Sequence, residues 1–209
     1  MIKSLQRATL ILALAGGTLT ALTGCFPLVA GGMVTGALVA SDRRTTGTVA
    51  EDQGIEVKAA NRIQDSLGDR AHVNVTSYNR QVLITGEVPS AQDKQLVEKI
   101  VTGVENVRNV VNELNIMGNS SLTQRSSDSL VTGRVKARLV DAQDLFANSF
   151  KVVTEHGTTY IMGRVTQREA NRATEIIRGT DGVQRLVRVL EIISEEELAR
   201  MLPPPAPAK

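Results

Sequence analysis

Aromatic residues make up only 2% of this 209-residue chain, and tryptophan is absent. Any core must therefore be assembled from Val, Leu, Ile and Ala. A single cysteine, Cys25, excludes an intramolecular disulfide. The only two histidines, His72 and His156, are not at metal-ligand spacing, and Glu155-His156 reads as a polar turn with no companion nucleophile. Gly86-Glu87-Val88 and Gly163-Arg164-Val165 lack the Lys and Ser/Thr of a phosphate-binding loop. The expectation is no catalytic residue, no metal, no cofactor and no enzyme. Charge of either sign is not in excess: the formal net charge is +2, and removing residues 1–24, which hold Lys3 and Arg7, leaves 22 basic residues against 22 acidic. With no global basic field, nucleic acid is not an expected partner.

What is present begins with "MIKSLQR", a short positive stretch, followed by the apolar run "ATLILALAGGTLTA". The run has the length of a signal-peptide core and is short for a membrane span. It ends in Leu22-Thr23-Gly24-Cys25, where small residues before a cysteine resemble a lipobox. In that reading Cys25 becomes the acylated N-terminus. The alternatives are an incidental thiol behind an ordinary signal peptide, or a longer spanning segment that joins the apolar run 26–40. Pro27 and the many glycines oppose the latter. Residue 26 is Phe rather than Asp, which by analogy with Gram-negative lipoproteins favours the outer membrane.

Beyond Ala40 the chain repeats itself. Residues 73–116 match residues 150–193, with Gly86 aligned to Gly163 and Val88 to Val165 at an offset of 77. Upstream, "DQGIEVKAANRI" matches "DSLVTGRVKARL" at an offset of 76. Each copy opens with a helix whose apolar residues recur every four positions: Ile55, Ala59 and Ile63, then Val131, Val135 and Leu139. Two strands follow, around Tyr78-Asn79-Arg80 in one copy and His156-Gly157 in the other. A capping signature then starts a second helix, partial at Ser90–Asp93 and complete at Thr166–Glu169. That helix buries Leu96, Val97, Ile100 and Val101, or Ala173, Ile176 and Ile177, and ends at Gly103 or Gly179. A last strand, Val107–Leu114 or Leu186–Ile193, closes each copy. A strand–helix–strand ending implies a parallel crossover. The predicted fold is α+β: two tandem αββαβ units, each an α/β sandwich with two helices on a three-stranded mixed sheet.

This pattern, with its Val-x-Val, Gly-x-Val and Gly-Val-x-x-Val spacing, resembles the BON domain family. Two units behind a lipobox resemble the dual BON-domain lipoproteins of the Gram-negative outer membrane. The resemblance implies a lipid-anchored protein facing the periplasm that binds anionic phospholipid of the phosphatidylglycerol or cardiolipin class. It further implies support of outer-membrane integrity and enrichment at the division site. A protein-interaction module serving outer-membrane assembly or cell-wall remodelling is the competing reading; an ion or small-ligand sensor is a third.

A lipid surface needs exposed apolar groups with basic residues beside them. Around the second copy's first helix, Leu130, Gly133, Ala137 and Val140 lie opposite the core residues, flanked by Arg134, Lys136 and Arg138. The equivalent helix of the first copy presents Lys58, Asn61 and Gln64 there. The alternative is that Leu130 packs on the first unit and the basic residues are merely solvated. The family resemblance implies a Trp at the position of Leu130, which would anchor more firmly. The expected organisation is a signal peptide (1–24), a lipidated N-terminus and flexible tether (25–50), a first domain (51–117), a linker (118–126), a second domain (127–194), and a short acidic helix with a Pro-rich disordered tail (195–209).

Overall fold

The structure, a computed structural model, describes residues 42–201. The signal segment, Cys25 and the Pro-rich end of the tail lie outside the described residues. The first repeat comprises helix α1 (Thr46–Leu67), strands β1 (His72–Tyr78) and β2 (Gln81–Val88), helix α2 (Ala91–Thr102), and a closing strand in two pieces, β3 (Asn109–Asn112) and β4 (Asn115–Ile116). The second comprises α3 (Leu122–Asp141), β5 (Phe150–Glu155), β6 (Thr158–Thr166), α4 (Gln167–Arg178) and β7 (Arg185–Ile193), and a short helix α5 (Glu195–Met201) follows. In both, the middle strand pairs antiparallel with the first and parallel with the last. The α+β class and the duplicated αββαβ order are as the repeat implies.

Local chemistry explains the elements. Thr45, Ser90, Ser121 and Thr166 cap the four main helices through their side-chain oxygens, and Thr166 with Glu169 completes a capping box. The hairpin turns need left-handed backbone at Asn79 (φ 51°), Arg80 (φ 66°), His156 (φ 48°) and Gly157 (φ 70°). Each turn is held by a buried aspartate from the preceding helix. Asp52 accepts the Asn79 and Arg80 N–H groups at 2.8 Å each, and Asp128 accepts those of His156 and Gly157 at 3.0 Å each. The two aspartates are repeat partners, so the same device was duplicated with the unit.

Each domain has its own core under its two helices. In the first, Ile55, Ala59, Ile63 and Val97 pack on Val82, Ile84 and Val88; in the second, Val131, Val135, Leu139 and Ile177 pack on Val152, Ile161 and Val165. Leu96 departs from the expected core and is exposed, while Ile100 is only partly buried. The intervening strand residues form a third cluster: Tyr78 and Leu83 of the first sheet meet Tyr160, Met162 and Val189 of the second. Strand side chains alternate between faces, so the sheets pack against each other through the faces their helices leave free. Burial pushes Tyr78 up to about 12.

Several expectations are corrected. The tether does not run to residue 50, because α1 starts at Thr46. Before it, Arg43 and Arg44 are bound into the fold: Arg44 bonds Asp52 at 2.9 Å and lies 4.2 Å over the Tyr78 ring, and Arg43 reaches Glu169. The linker is likewise shorter than 118–126, since Ser121 caps α3 and the helix starts at Leu122. The first domain's last strand is split rather than continuous. The Asn112 side chain accepts from the Leu114 N–H at 3.2 Å and donates to the Lys94 carbonyl; the Glu113 N–H still reaches the Ile84 carbonyl at 2.9 Å, and the same register resumes at Asn115. His156 sits in the hairpin turn and His72 in a strand, as expected, but both also bond the fully buried carboxylate of Glu87, His72 at 3.0 Å and His156 at 2.5 Å.

Candidate membrane-facing helix

Helix α3 carries the candidate lipid residues. Its buried positions, Asp128, Val131, Val135 and Leu139, face the second domain's sheet. The opposite side holds Leu130, 64% exposed, and Val140, 67% exposed, with Gly133 and Ala137 exposed between them. Leu130 is therefore not packed on the first domain. A methyl group added at Gly133 would meet nothing within 4 Å. Arg134, Lys136 and Arg138 are all exposed beside this stripe. The seven residues thus share one open face.

The basic residues are not equivalent. Arg134 donates to the Asp181 carbonyl at 3.3 Å, and Arg138 to the Gly179 carbonyl at 2.6 Å, so both tie α3 to the C-terminal end of α4. The first domain repeats this: Arg62 donates to the Gly103 carbonyl at 2.9 Å, and Lys58 pairs with Glu105 at 3.1 Å. Arg134 and Arg138 thus have an inherited structural task as well as an exposed charge. Lys136, on the other flank of the stripe, takes no part in these bonds. At the equivalents of Leu130 and Val140 the first domain has Gly54 and Gln64, so it lacks the apolar edge.

Sequence reasoning missed two neighbours. Phe146, in the loop after α3, is a further large apolar side chain left 51% exposed. Asp42, the first described residue, borders a groove of about 430 Å³ with Lys136, Val140 and Ala147. The chain therefore enters the fold next to the C-terminal half of α3. An aromatic in a short loop gave Phe146 a weak signal, and no periodicity could place Asp42. On the acidic side, Asp141 is exposed at the helix end, while Asp144 is paired with Arg172 at 2.9 Å. Among the described residues no helix is long and apolar enough to cross a membrane.

A duplicated αββαβ sandwich with an exposed apolar stripe on one copy defines the class. The BON domain model matches residues 51–118 and 127–194, and the chain belongs to the BON domain family. It is 36% identical over 184 residues to Outer membrane lipoprotein DolP of Haemophilus influenzae, covering 87% of this chain and 95% of that one. It is 29% identical to a 21 kDa hemolysin of Actinobacillus pleuropneumoniae, covering 73% of this chain and 79% of the other. It is 27% identical to Osmotically-inducible protein Y of Escherichia coli, covering 71% and 76%.

Proposed function

We propose that the protein is a non-enzymatic outer-membrane lipoprotein, anchored through Cys25, that binds anionic phospholipid through α3 and so supports envelope integrity at the division site. The likeness to a protein named an outer membrane lipoprotein supports the location. The observation that carries the lipid reading is the exposed stripe Leu130–Gly133–Ala137–Val140 with Arg134, Lys136 and Arg138 around it. Its first-domain counterpart, Gly54–Val57–Asn61–Gln64, keeps a single exposed aliphatic, Val57, so the longer stripe is not a requirement of the fold.

The magnitudes fit a second, weak contact. Fully burying an aliphatic side chain is worth about 1.5–3 kcal/mol, and each basic residue near an anionic surface adds about 1 kcal/mol. Two partly inserted aliphatics and three cations give an affinity too weak to hold a free domain, but sufficient beside a lipid anchor. The chain's entry at Asp42, on the same side as Val140, suits that arrangement.

Vesicle flotation tests the reading. The three apolar clusters of the described residues lie within residues 42–201, so protein beginning at Phe26 keeps all three. It floats with vesicles containing phosphatidylglycerol or cardiolipin and not with phosphatidylcholine alone. Leu130→Glu and Lys136→Glu abolish flotation. Unchanged flotation of both variants removes the assignment to α3, and capture of a protein partner that survives both supports the interaction-module reading instead.

A further inference from the structure

A polar cluster in the seam between the two sheets takes no part in the membrane reading. Glu87, at the end of β2, is fully buried. Its Oε2 lies 3.0 Å from His72 Nδ1 and its Oε1 lies 2.5 Å from His156 Nε2. Glu155, also buried, adds a second carboxylate, and donor atoms of His72, Glu87 and Glu155 all lie within 4.8 Å of one another. Two of these four residues come from the first domain and two from the hairpin of the second.

Neither carboxylate bonds a Lys or Arg: Glu87 is met by the two imidazoles and Ser120, and Glu155 by the Asn74 amide. A third carboxylate, Asp128, caps the same hairpin through backbone N–H groups. Two buried carboxylates thus meet in the seam with no Lys or Arg on either, an arrangement that is costly unless compensated. Burial accordingly pushes the Glu155 carboxyl up, against the Asn74 bond that favours its charge. A second sign of an unmet partner lies beside it. Thr85, on the same strand face two residues before Glu87, has a buried hydroxyl with no partner.

We propose that His72, Glu87, Glu155 and His156 form a site for a divalent transition metal of the zinc class, clipping the first domain to the second. Two imidazole nitrogens and two carboxylate oxygens suit that ion. Ligand bonds of about 2 Å set tetrahedral donors roughly 3.4 Å apart; His72, Glu87 and Glu155 already lie within 4.8 Å of one another, and His156, held on the same Glu87 carboxylate, must swing further inward to complete the set. Ser120, bonded to Glu87, and Asn74, bonded at 2.5 Å to Glu155, hold the carboxylates from behind. Both imidazoles remain partly exposed, leaving the ion a way in. The metal takes the place of the protons that the imidazoles and Glu87 share, and it binds only when the domains are docked.

The test uses the full-length protein in detergent, free of a polyhistidine tag and stripped with chelator. Calorimetric titration with ZnCl2 at neutral pH gives one ion per chain with micromolar or tighter affinity, and the melting temperature rises. Cobalt(II) gives the visible bands of a tetrahedral site, a readout that needs no variant. Glu155→Gln, which keeps the acceptor for Asn74, and His156→Asn each weaken zinc about tenfold or more while flotation with anionic vesicles is retained. Absence of stoichiometric zinc uptake, an octahedral cobalt spectrum, or equal affinity in both variants overturns the proposal; failure of flotation bears on α3 alone.

Discussion

Arg43 places two guanidinium nitrogens on the Glu169 carboxylate, at 2.6 and 2.8 Å, across 126 residues of chain. Both side chains are almost fully buried. Arg43 also donates to the Arg164 carbonyl at 2.9 Å. The segment leading into the first domain is thereby fastened to the second. The other crossing segment does the converse: Ser120, just before α3, donates to Glu87 of the first domain at 3.1 Å through both its N–H and its hydroxyl.

Removing one partner of such a pair strands a buried charge. Arg43→Ala is expected to destabilise the protein by about 3–5 kcal/mol. The double change Arg43→Met with Glu169→Gln recovers most of that loss, since Gln still caps α4. Urea denaturation checks both. A midpoint unchanged by Arg43→Ala contradicts the fastening.

The same pair sets an acid limit. Burial opposes ionisation of Glu169, but the Arg43 bond and the Thr166 N–H outweigh it and hold the carboxyl below its ordinary value of 4.5. A depressed folded-state value means the stabilisation is complete above the unfolded value and is lost as pH falls through the folded one. Denaturation midpoints should therefore drop more steeply below pH about 4.5 for the wild type than for Glu169→Gln. Parallel curves in that range contradict the assignment.

The repeat glycines give a third prediction. A Cβ at Gly86, where φ is 112°, would lie 2.1 Å from the His72 carbonyl oxygen, and one at Gly163 would lie 2.4 Å from that of Ser149. Each blocks the neighbouring strand's backbone. Gly86→Ala and Gly163→Ala are each expected to cost about 3 kcal/mol or more. Gly54→Ala, in open space within α1, should stabilise by up to about 1 kcal/mol. Thermal melts of the three variants decide this, and a mild effect at Gly86 would mean the two strands are looser than described.

Repetition, periodicity and caps made the individual domain legible. Val131, Val135 and Leu139 announced the buried side of α3, and Thr166 with Glu169 announced the start of α4. What joins the domains was not legible, because periodicity reports that a face is buried without saying against what. Leu83 and Met162 read as ordinary strand residues, yet they meet across the seam. Arg43 looked like part of a tether because its partner lies in the other repeat. His72 and Glu87 are cross-strand partners within the first hairpin, but His156 and Glu155 come from the other repeat, and only the docking of hairpin on sheet brings them together. Arg134 and Arg138 were legible as exposed basic residues, but their bonds to carbonyls at the end of α4 depend on how the two helices pack.

The central claim, that α3 enters the acyl boundary of an anionic bilayer, can be measured directly because the chain contains no tryptophan. Leu130→Trp installs a single reporter on an exposed position. With phosphatidylglycerol vesicles its emission should shift to the blue and be quenched by lipids brominated along the acyl chains, and Lys136→Glu in the same background should weaken both effects. Emission that stays at the wavelength of water-exposed indole, with no quenching by brominated lipid, would contradict the account.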